Sequence, residues 1–284
     1  MISKRVKLDF KGKGWTKVLL GACVHVGQPS VDYDGVRKFV REGKKYAWAC
    51  LGDLIEGIMP TDTRRFNIDE HKTSILEQMD YAVELHKPAA KNCLGLIRGN
   101  HELFVSKQFG DISKSMAKDM GVPYLGMCAI LDLVCPDGMT QLYMAHGSKG
   151  FGGSAGDPER IKLNREIKLR NANKKFDADI VAVAHAHTSV ITPPVYKMKL
   201  GSVNGKLKMK PVPVEHTWYS ASPAFFRTYV DGNENGSYGE QAQYDPTDCG
   251  WHAAIINKDG SVPKMIQYGT DGKIISERTP NIIR

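Results

Sequence analysis

Long hydrophobic runs are missing from this chain of 284 residues. No apolar run approaches the roughly 20 residues that a membrane-spanning helix needs, so we expect no membrane partner. The first residues are basic, but the short apolar stretch after Lys17 contains His25 and lacks a small-residue cleavage site. This pattern argues against a secretory signal. We therefore expect a cytoplasmic protein.

Paired cysteine motifs are missing as well. The six cysteines are scattered along the chain and none forms a Cys-x-x-Cys pair. This spacing disfavours a disulfide framework and favours reduced, mostly buried thiols. No cysteine is followed by an arginine six residues later. The absence of this C-x5-R pattern excludes a cysteine-dependent phosphatase.

The composition that remains is that of an ordinary globular protein. Hydrophobic residues make up 42% of the chain and charged residues 25%, which are usual values for a folded soluble domain. A chain of this length buries a large core without covalent cross-links. We expect a single domain over residues 1–284. The net charge is +8, from 39 Lys and Arg against 31 Asp and Glu.

Short apolar runs alternate with helical patterns over the first two thirds of the chain. The runs are too short for independent helices and predict buried strands at residues 18–22, 46–51, 93–97, 141–145 and 179–183. Apolar stripes between them predict helices from about residue 34, over 75–83 and around 112–116. The alternation of strands and helices predicts an α/β fold.

The chain after residue 147 has a different character. Residues 157–175 hold seven bases and three acids, and lysines alternate with apolar residues over 195–212 around Asn204-Gly205. The second pattern predicts a β-hairpin with lysines on one face. From residue 231 the chain is rich in Gly, Asn and Asp, which predicts loops. The two basic segments either attract a polyanion or are ordinary solvated surfaces.

Five of the nine histidines follow predicted strands: His25, His101, His146, His185 and His187. Asp53 follows the second strand in the same way. Because ligands bind beyond the carboxyl ends of strands in open α/β sheets, we expect these side chains at one edge of one sheet. Imidazole, carboxylate and thiolate groups bind Zn²⁺, Fe and Mn²⁺. One such residue alone would more often be a cap or a hydrogen-bonding group, but the series predicts a metal site.

The order of these motifs resembles that of the calcineurin-like metallophosphoesterase superfamily. The family pattern is D-x-H, G-D, G-N-H-[DE], H and G-H-x-H. The matching elements are Cys23-x-His25, Gly52-Asp53, Gly99-Asn100-His101-Glu102, His146 and His185-x-His187. The resemblance spans residues 23–187. It implies a two-sheet β-sandwich flanked by helices and a centre of two divalent metal ions.

The resemblance also implies a role for each matching residue. The first metal would be held by Cys23, His25, Asp53 and His187. The second would be held by Asp53, Asn100, His146 and His185, with Asp53 bridging the two. His101 would stand beside the metals, where it protonates the leaving oxygen or steadies the phosphoryl group.

Two neighbouring residues are further candidates. Arg98 could clamp a phosphate, because its planar fork matches phosphate oxygens, or it could be a surface arginine at a strand end. Glu56 could hydrogen-bond a metal-bound histidine or face solvent on a helix.

Two positions depart from the family pattern. Ala184 stands where the family has a glycine, and Cys23 stands where it has an aspartate. A thiolate is softer than a carboxylate and binds zinc at about 2.3 Å instead of about 2.0–2.2 Å. We therefore expect Zn or Fe at the Cys23 site and Mn or Zn at the other. The alternative is a core cysteine that touches no metal.

The resemblance implies hydrolysis of a phosphoester substrate by hydroxide that two metals activate, without a covalent enzyme intermediate. The basic segments favour a phosphodiester, that of a nucleotide or nucleic acid. Two alternatives stay open: a phosphomonoesterase of the same superfamily, and a non-catalytic scaffold that keeps the fold.

Overall fold

The computed structural model describes residues 1–58, 74–148, 150, 156–204, 206–232, 240, 243 and 245–283. Of the predicted loop region from residue 231, residues 233–239, 241, 242 and 244 lie outside these ranges, whereas β-strands occupy much of residues 251–283. Within them, no helix combines the length and apolar character that crossing a membrane requires.

Strands and five helices make up the described part of the chain. The strands are β1 (Ile2–Lys7), β2 (Trp15–Gly21), β3 (Ala47–Cys50), β4 (Cys93–Leu96), β5 (Cys128–Val134), β6 (Met139–Ala145), β7 (Ile180–Val183), β8 (Val190–Thr192), β9 (Val195–Val203), β10 (Lys206–Glu215), β11 (Trp218–Ala221), β12 (Trp251–Asn257), β13 (Lys264–Tyr268), β14 (Ile274–Arg278) and β15 (Asn281–Ile283). The helices are α1 (Tyr33–Gly43), α2 (Ile75–His86), α3 (Asn100–Phe109), α4 (Ile112–Met120) and α5 (Pro158–Asn173), and a 3₁₀ helix (Lys87–Asn92) follows α2.

Two six-stranded sheets pack face to face. The first has the order β1-β5-β6-β7-β11-β8 and the second the order β14-β13-β12-β2-β3-β4. Alternate residues of a strand point to opposite faces, so Val18 and Leu20 of β2 join the core between the sheets. Leu19 points the other way, to the core under α1, α2 and α4, while Leu169 of α5 packs on the outer face of the first sheet. The predicted α/β two-sheet sandwich flanked by helices is confirmed.

The helix boundaries follow local chemistry. The Asp32 side chain accepts a hydrogen bond at the start of α1, and Ser74 forms a capping box with Glu77 at the start of α2. Pro88 lies in the 3₁₀ helix after α2, as expected of a residue without a backbone donor. Gly121 ends α4 in a left-handed conformation.

The prediction that the ligand-bearing strands share one sheet is wrong. β2, β3 and β4 belong to the second sheet, whereas β6 and β7 belong to the first. Within each group neighbouring strands are parallel. A short apolar run indicates a strand buried on both faces, but it does not indicate which sheet the strand joins. The ligand loops therefore meet across the end of the sandwich.

The two basic segments form separate elements. Residues 157–175 contain α5. β9 and β10 pair antiparallel, and β15 adds to β9 in parallel to give a three-stranded sheet in the order β10-β9-β15. Arg170 of α5 lies 2.7 Å from Glu215 at the end of β10, so the two basic elements are neighbours.

Candidate metal centre

Loops from both sheets build the site. The loop after β2 pairs with the loop after β3 through the backbone, since Cys23 N donates to Gly52 O at 2.9 Å and His25 N donates to Asp53 O at 3.1 Å. A Cβ atom on Gly52 would lie 2.6 Å from the backbone nitrogen of Gly99. The loops after β3 and β4 therefore approach each other closely only because these positions are glycines.

Backbone strain concentrates at this site. Among the described residues, eight non-glycine residues have a positive φ. Five of them are candidate ligands, with φ between +51° and +71°: Cys23, His25, Asp53, His185 and His187. Such conformations are costly for residues with a side chain and persist where the surroundings hold them. The local fold therefore maintains this loop geometry against the backbone preference.

The structure brings the predicted first ligand set together. Ligand atoms of Cys23, His25, Asp53 and His187 lie within 4.8 Å of one another. His25 Nε2 is 3.3 Å from His187 Nε2 and 3.8 Å from Asp53 Oδ2. The first three side chains are buried and His187 is partly buried, so the group is a largely buried cluster of nitrogen, sulfur and oxygen donors.

The predicted second set lies beside the first and shares Asp53. Ligand atoms of Asp53, His146 and His185 also lie within 4.8 Å of one another. Asn100 Oδ1 joins them, at 3.0 Å from His146 Nε2 and 2.7 Å from His185 Nδ1. Asp53 is therefore the residue at which the two groups meet.

Hydrogen bonds outside the cluster orient the imidazoles. His146 Nδ1 is 2.6 Å from the carbonyl oxygen of Leu51. A carbonyl oxygen only accepts, so Nδ1 carries a proton and Nε2 is the ring nitrogen that points into the cluster. His25 Nδ1 is 2.7 Å from Glu56 Oε2, which turns His25 Nε2 inward in the same way. Such partners are typical of metal-binding histidines.

Several nitrogen and oxygen atoms that could bind a metal lie close together in this cluster. His25 Nε2 faces His187 Nε2 at 3.3 Å, and His146 Nε2 faces Asn100 Oδ1 at 3.0 Å. Asp53 Oδ2 is buried and accepts no aligned hydrogen bond, although His146 Nε2 lies 2.9 Å away. Cations at these positions would be coordinated by these nitrogen and oxygen atoms. The residues fit two metal ions.

The protonation states of the cluster also favour bound cations. Burial opposes the charge of Asp53, yet the nearby imidazoles, that of His146 foremost, hold the pKa of this carboxyl well below its usual range. Burial lowers the pKa of His187 strongly and also lowers that of His185, so both rings keep lone pairs. Burial and the Asp53 charge raise the pKa of the Cys23 thiol. A Cys23 thiolate therefore needs a cation beside it.

His101 lies at the edge of the cluster. Its backbone nitrogen donates to Asp53 Oδ1 at 3.0 Å, and its ring Nδ1 donates to the backbone oxygen of Glu56. The His101 and His25 rings are 4.5 Å apart between centroids. His25, Glu56 and His101 also form a third group with close ligand atoms. His101 is therefore near the predicted metals without belonging to either ligand set.

Arg98 makes contacts of another kind. Its Nη1 lies 3.2 Å from Asp111 Oδ2, and its Nε and Nη2 lie 3.2 Å from the sulfur of Met127. These contacts tie the guanidinium to the start of α4 and the loop before β5. They add no support to a phosphate clamp, and that role of Arg98 stays a prediction.

Glu102 is a residue whose importance the sequence analysis missed. It is 1% exposed and accepts hydrogen bonds from four backbone nitrogens at 2.6–3.2 Å: those of Asp53, Leu54, Ile55 and Gly99. Burial and the nearby Asp53 charge raise the pKa of this carboxyl. Glu102 thus fastens the loop after β3 to the start of α3. The capping-box spacing of Gly99 and Glu102 was the available signal.

A buried histidine supports the loop that carries His185 and His187. His252 is fully buried, with Nε2 2.8 Å from Ser189 Oγ and Nδ1 2.8 Å from Ser220 Oγ. Ser189 N donates to Asp248 Oδ2, and Asp248 N donates to His187 O. No sequence pattern predicts this connection, because it joins residues that are distant in the chain.

Comparisons with known proteins add likenesses at the level of the fold. No family model matches the sequence, and no curated protein matches it either. The chain is similar to the phosphoesterase YfcE from E. coli, with 11% identity and a TM-score of 0.43 over 93% of this chain and 98% of that one. It is similar to the calcineurin-like phosphoesterase YfkN from Bacillus subtilis, with 10% identity and a TM-score of 0.42 over 93% of each chain.

A metallophosphoesterase from Sphaerobacter thermophilus is similar as well, with 12% identity and a TM-score of 0.37 over 93% of this chain and 89% of that one. One of these neighbours is described as calcineurin-like and another as a metallophosphoesterase, the terms that name the superfamily that the sequence motifs resemble. Likenesses of this size carry no conclusion about activity, which depends on the centre itself.

Proposed function

We propose that this chain is a binuclear metal-dependent phosphoesterase whose substrate is a phosphodiester. The observation that carries the proposal is the pair of ligand groups that share Asp53. Two divalent cations held there would supply Lewis acidity toward a phosphoryl oxygen and toward a water. Cys23, His25 and His187 would complete one site, and Asn100, His146 and His185 the other.

The chain's own groups support the remaining chemistry. Because His101 Nδ1 donates to a carbonyl oxygen, Nε2 is the ring nitrogen that gains and loses a proton. We assign it the transfer of a proton to the leaving oxygen. Glu56 Oε2, 2.7 Å from His25 Nδ1, would hold the His25 ring in its binding orientation.

The preference for a diester is supported by charge. The helix α5 and the hairpin of β9 and β10 are basic and adjacent, and both follow ligand-bearing loops in the chain. A polyanionic substrate with phosphates on either side of the scissile bond would gain from them. A small phosphomonoester has no further phosphates that would gain in this way.

The test compares two chromogenic esters on metal-analysed protein. We expect close to two bound metal ions per chain and faster hydrolysis of bis-p-nitrophenyl phosphate than of p-nitrophenyl phosphate. His101→Ala should lower kcat for the diester at least about 10²-fold. His216→Ala, at an exposed histidine, is the matched control and should leave kcat unchanged. Faster monoester hydrolysis would favour a phosphatase, and no turnover of either ester would favour a scaffold.

The identity of the metals has its own test. If Cys23 is a ligand, protein purified without added metal should contain Zn or Fe, and Cys23→Asp should shift the occupancy of one site toward Mn. Cys23→Ser, with a weak oxygen donor, should lose one ion per chain. Unchanged metal content in both variants would remove Cys23 from the ligand set.

A further inference from the structure

The excess positive charge of the chain lies in two segments. Residues 157–175 have seven bases against three acids, and the strands β9 and β10 have five lysines against one glutamate. Each segment has a net charge of +4, so together they account for the whole net charge of +8. The rest of the chain is neutral. The excess positive charge is therefore confined to these two segments and is not spread over the surface.

The strands β9 and β10, here called the lysine ribbon, separate charged from apolar residues. Directly opposite residues of an antiparallel pair share a face, and successive residues alternate. Lys210 is opposite Lys199, and Val212 is opposite Lys197. The following residues consequently share one face: Lys197, Lys199, Lys206, Lys208 and Lys210. Leu200 and Met209 lie on the other face.

All five lysines of the ribbon are exposed. Within the ranges that the structure describes, none of them forms an ion pair with an acidic side chain. Like charges on one face of a ribbon repel one another, so this face is electrostatically unfavourable by itself. An anionic partner would remove that cost.

Protection of a sheet edge does not account for the lysines. Natural sheets use lysine and proline on edge strands to prevent pairing with another chain. Of these two strands β10 is the edge strand, whereas β15 covers β9 over Val195–Lys197, so Lys197 protects no edge. Pro211 and Pro213 already remove donors from β10. The same prolines disfavour strand addition by a second copy of this chain.

We propose that the lysine face of the ribbon binds the phosphate backbone of a nucleic acid duplex. A two-stranded β-ribbon fits the major groove of duplex DNA, and alternate lysines of one strand are about 6.8 Å apart. Tyr196 is the single aromatic residue of the two strands, so the base stacking that holds single strands is not available. The lysines would contact phosphates and read no sequence.

Binding of a duplex by the ribbon does not require the proposed function. Only its consequence, the delivery of a diester to the metal centre, rests on the proposed function. Binding is a separate property and is measured without turnover. The probe is a fluorescent 24-base-pair DNA duplex, titrated with metal-replete full-length protein at several salt concentrations on ice. A denaturing gel verifies that the DNA stays intact. The same protein preparations are assayed with bis-p-nitrophenyl phosphate.

The variant is the triple change Lys206→Gln, Lys208→Gln and Lys210→Gln. Each lost phosphate contact lowers the slope of log K against log salt by about 0.9. We expect a slope smaller by about 2–3 and an affinity on the order of 10²-fold lower at 0.1 M salt. The pair Lys197→Gln and Lys199→Gln should give a slope smaller by about 2.

The matched control is the triple change of exposed lysines on α3 and α4: Lys107→Gln, Lys114→Gln and Lys118→Gln. It removes the same charge from the opposite layer of the sandwich and should change the slope by less than about 1. Equal losses in both triple variants would overturn the proposal. So would a ribbon variant that keeps its duplex affinity but no longer binds vesicles with 30% phosphatidylserine, since the ribbon would then serve an anionic membrane. If the ester assay fails while the ribbon-dependent binding is present, only the proposed catalysis is refuted.

Discussion

The candidate metal centre and the lysine ribbon are built in opposite ways. The centre consists of buried and partly buried side chains, five of them on strained backbone. The ribbon consists of exposed lysines on extended strands. Strained positions exist only where the surrounding structure compensates for them. Ribbon lysines need no such support.

Because the two regions are built differently, substitutions in them should have different kinds of effect. A change at the centre alters buried hydrogen bonds and charges, so its effects on stability, metal binding and catalysis are coupled. A change on the ribbon alters only the long-range attraction of a polyanion, so its effect is confined to binding and depends on salt. Substitutions in the two regions test whether this separation holds.

The largest effect is expected for Asp53→Asn. The change keeps the shape of the side chain but removes the charge that both ligand groups share, so we expect two bound ions to fall to one or none. The value of kcat/KM for the diester should fall by about 10⁴-fold, equivalent to about 5 kcal/mol of transition-state stabilisation. Elemental analysis and steady-state kinetics measure the two quantities.

The control for this change is Asp177→Asn, at an exposed aspartate 3.1 Å from His216. It should keep both ions and the wild-type rate. An Asp53→Asn protein that retained two ions would show that the Asp53 charge is not needed to hold them.

The next effect is on folding and is expected for Glu102→Ala. Four buried backbone donors would lose their acceptor, and each unsatisfied buried group costs about 1–3 kcal/mol. Partial relaxation and entry of water should leave a loss of about 4 kcal/mol in the free energy of unfolding, measured by urea denaturation.

Glu77→Ala is the matched comparison for Glu102→Ala. Glu77 occupies the same capping-box position, but at the exposed start of α2. Its loss should cost about 0.5–1 kcal/mol. Similar losses in the free energy of unfolding for the two variants would show that the burial of Glu102 does not make its hydrogen bonds more important than those of Glu77.

A third effect is a pH dependence and comes from His252. Burial lowers the pKa of His252 to about 3, whereas an unfolded histidine titrates near about 6.5. Below that pH the unfolded chain takes up a proton that the folded chain does not, so stability is full above about 6.5 and is lost as pH falls toward 3. The loss from this group should reach about 3 kcal/mol by pH 4.

His252→Gln removes this titration and should flatten the fall of the unfolding free energy between pH 6.5 and pH 4 by about that amount. Equal profiles for His252→Gln and the wild-type chain would show that the buried ring gains its proton without cost.

The sequence predicted the parts of the fold that depend on local pattern. The apolar runs correspond to β2, β3, β4, β6 and β7, and the apolar stripes correspond to α1, α2 and α4. The helix α3 was missed because its first turn is the polar motif Gly99-Asn100-His101-Glu102, which has no apolar stripe. The division of the strands between two sheets depends on contacts between residues that are distant in the chain.

The candidate site divides in the same way. The residue types and the order of the loops predicted which side chains come together, because strand ends bring loops to one end of a fold. The positive φ at Cys23 and His187 leaves no mark on a sequence, since the cost is offset by tertiary contacts. The contacts of Arg98 with Asp111 and Met127 join residues that no sequence motif links, so the sequence did not predict them.

The smallest effect is expected for the ribbon variant with Lys206→Gln, Lys208→Gln and Lys210→Gln. These side chains are exposed and form no ion pair within the part of the chain that the structure describes, so the free energy of unfolding should stay within about 0.5 kcal/mol of wild type. The small ester bis-p-nitrophenyl phosphate carries one phosphate and cannot span the ribbon, so its kcat/KM should be unchanged. Urea denaturation and the ester assay check both values. A loss of stability near that of Glu102→Ala would show that the ribbon is part of the folded core, and the contrast between the two regions would fail.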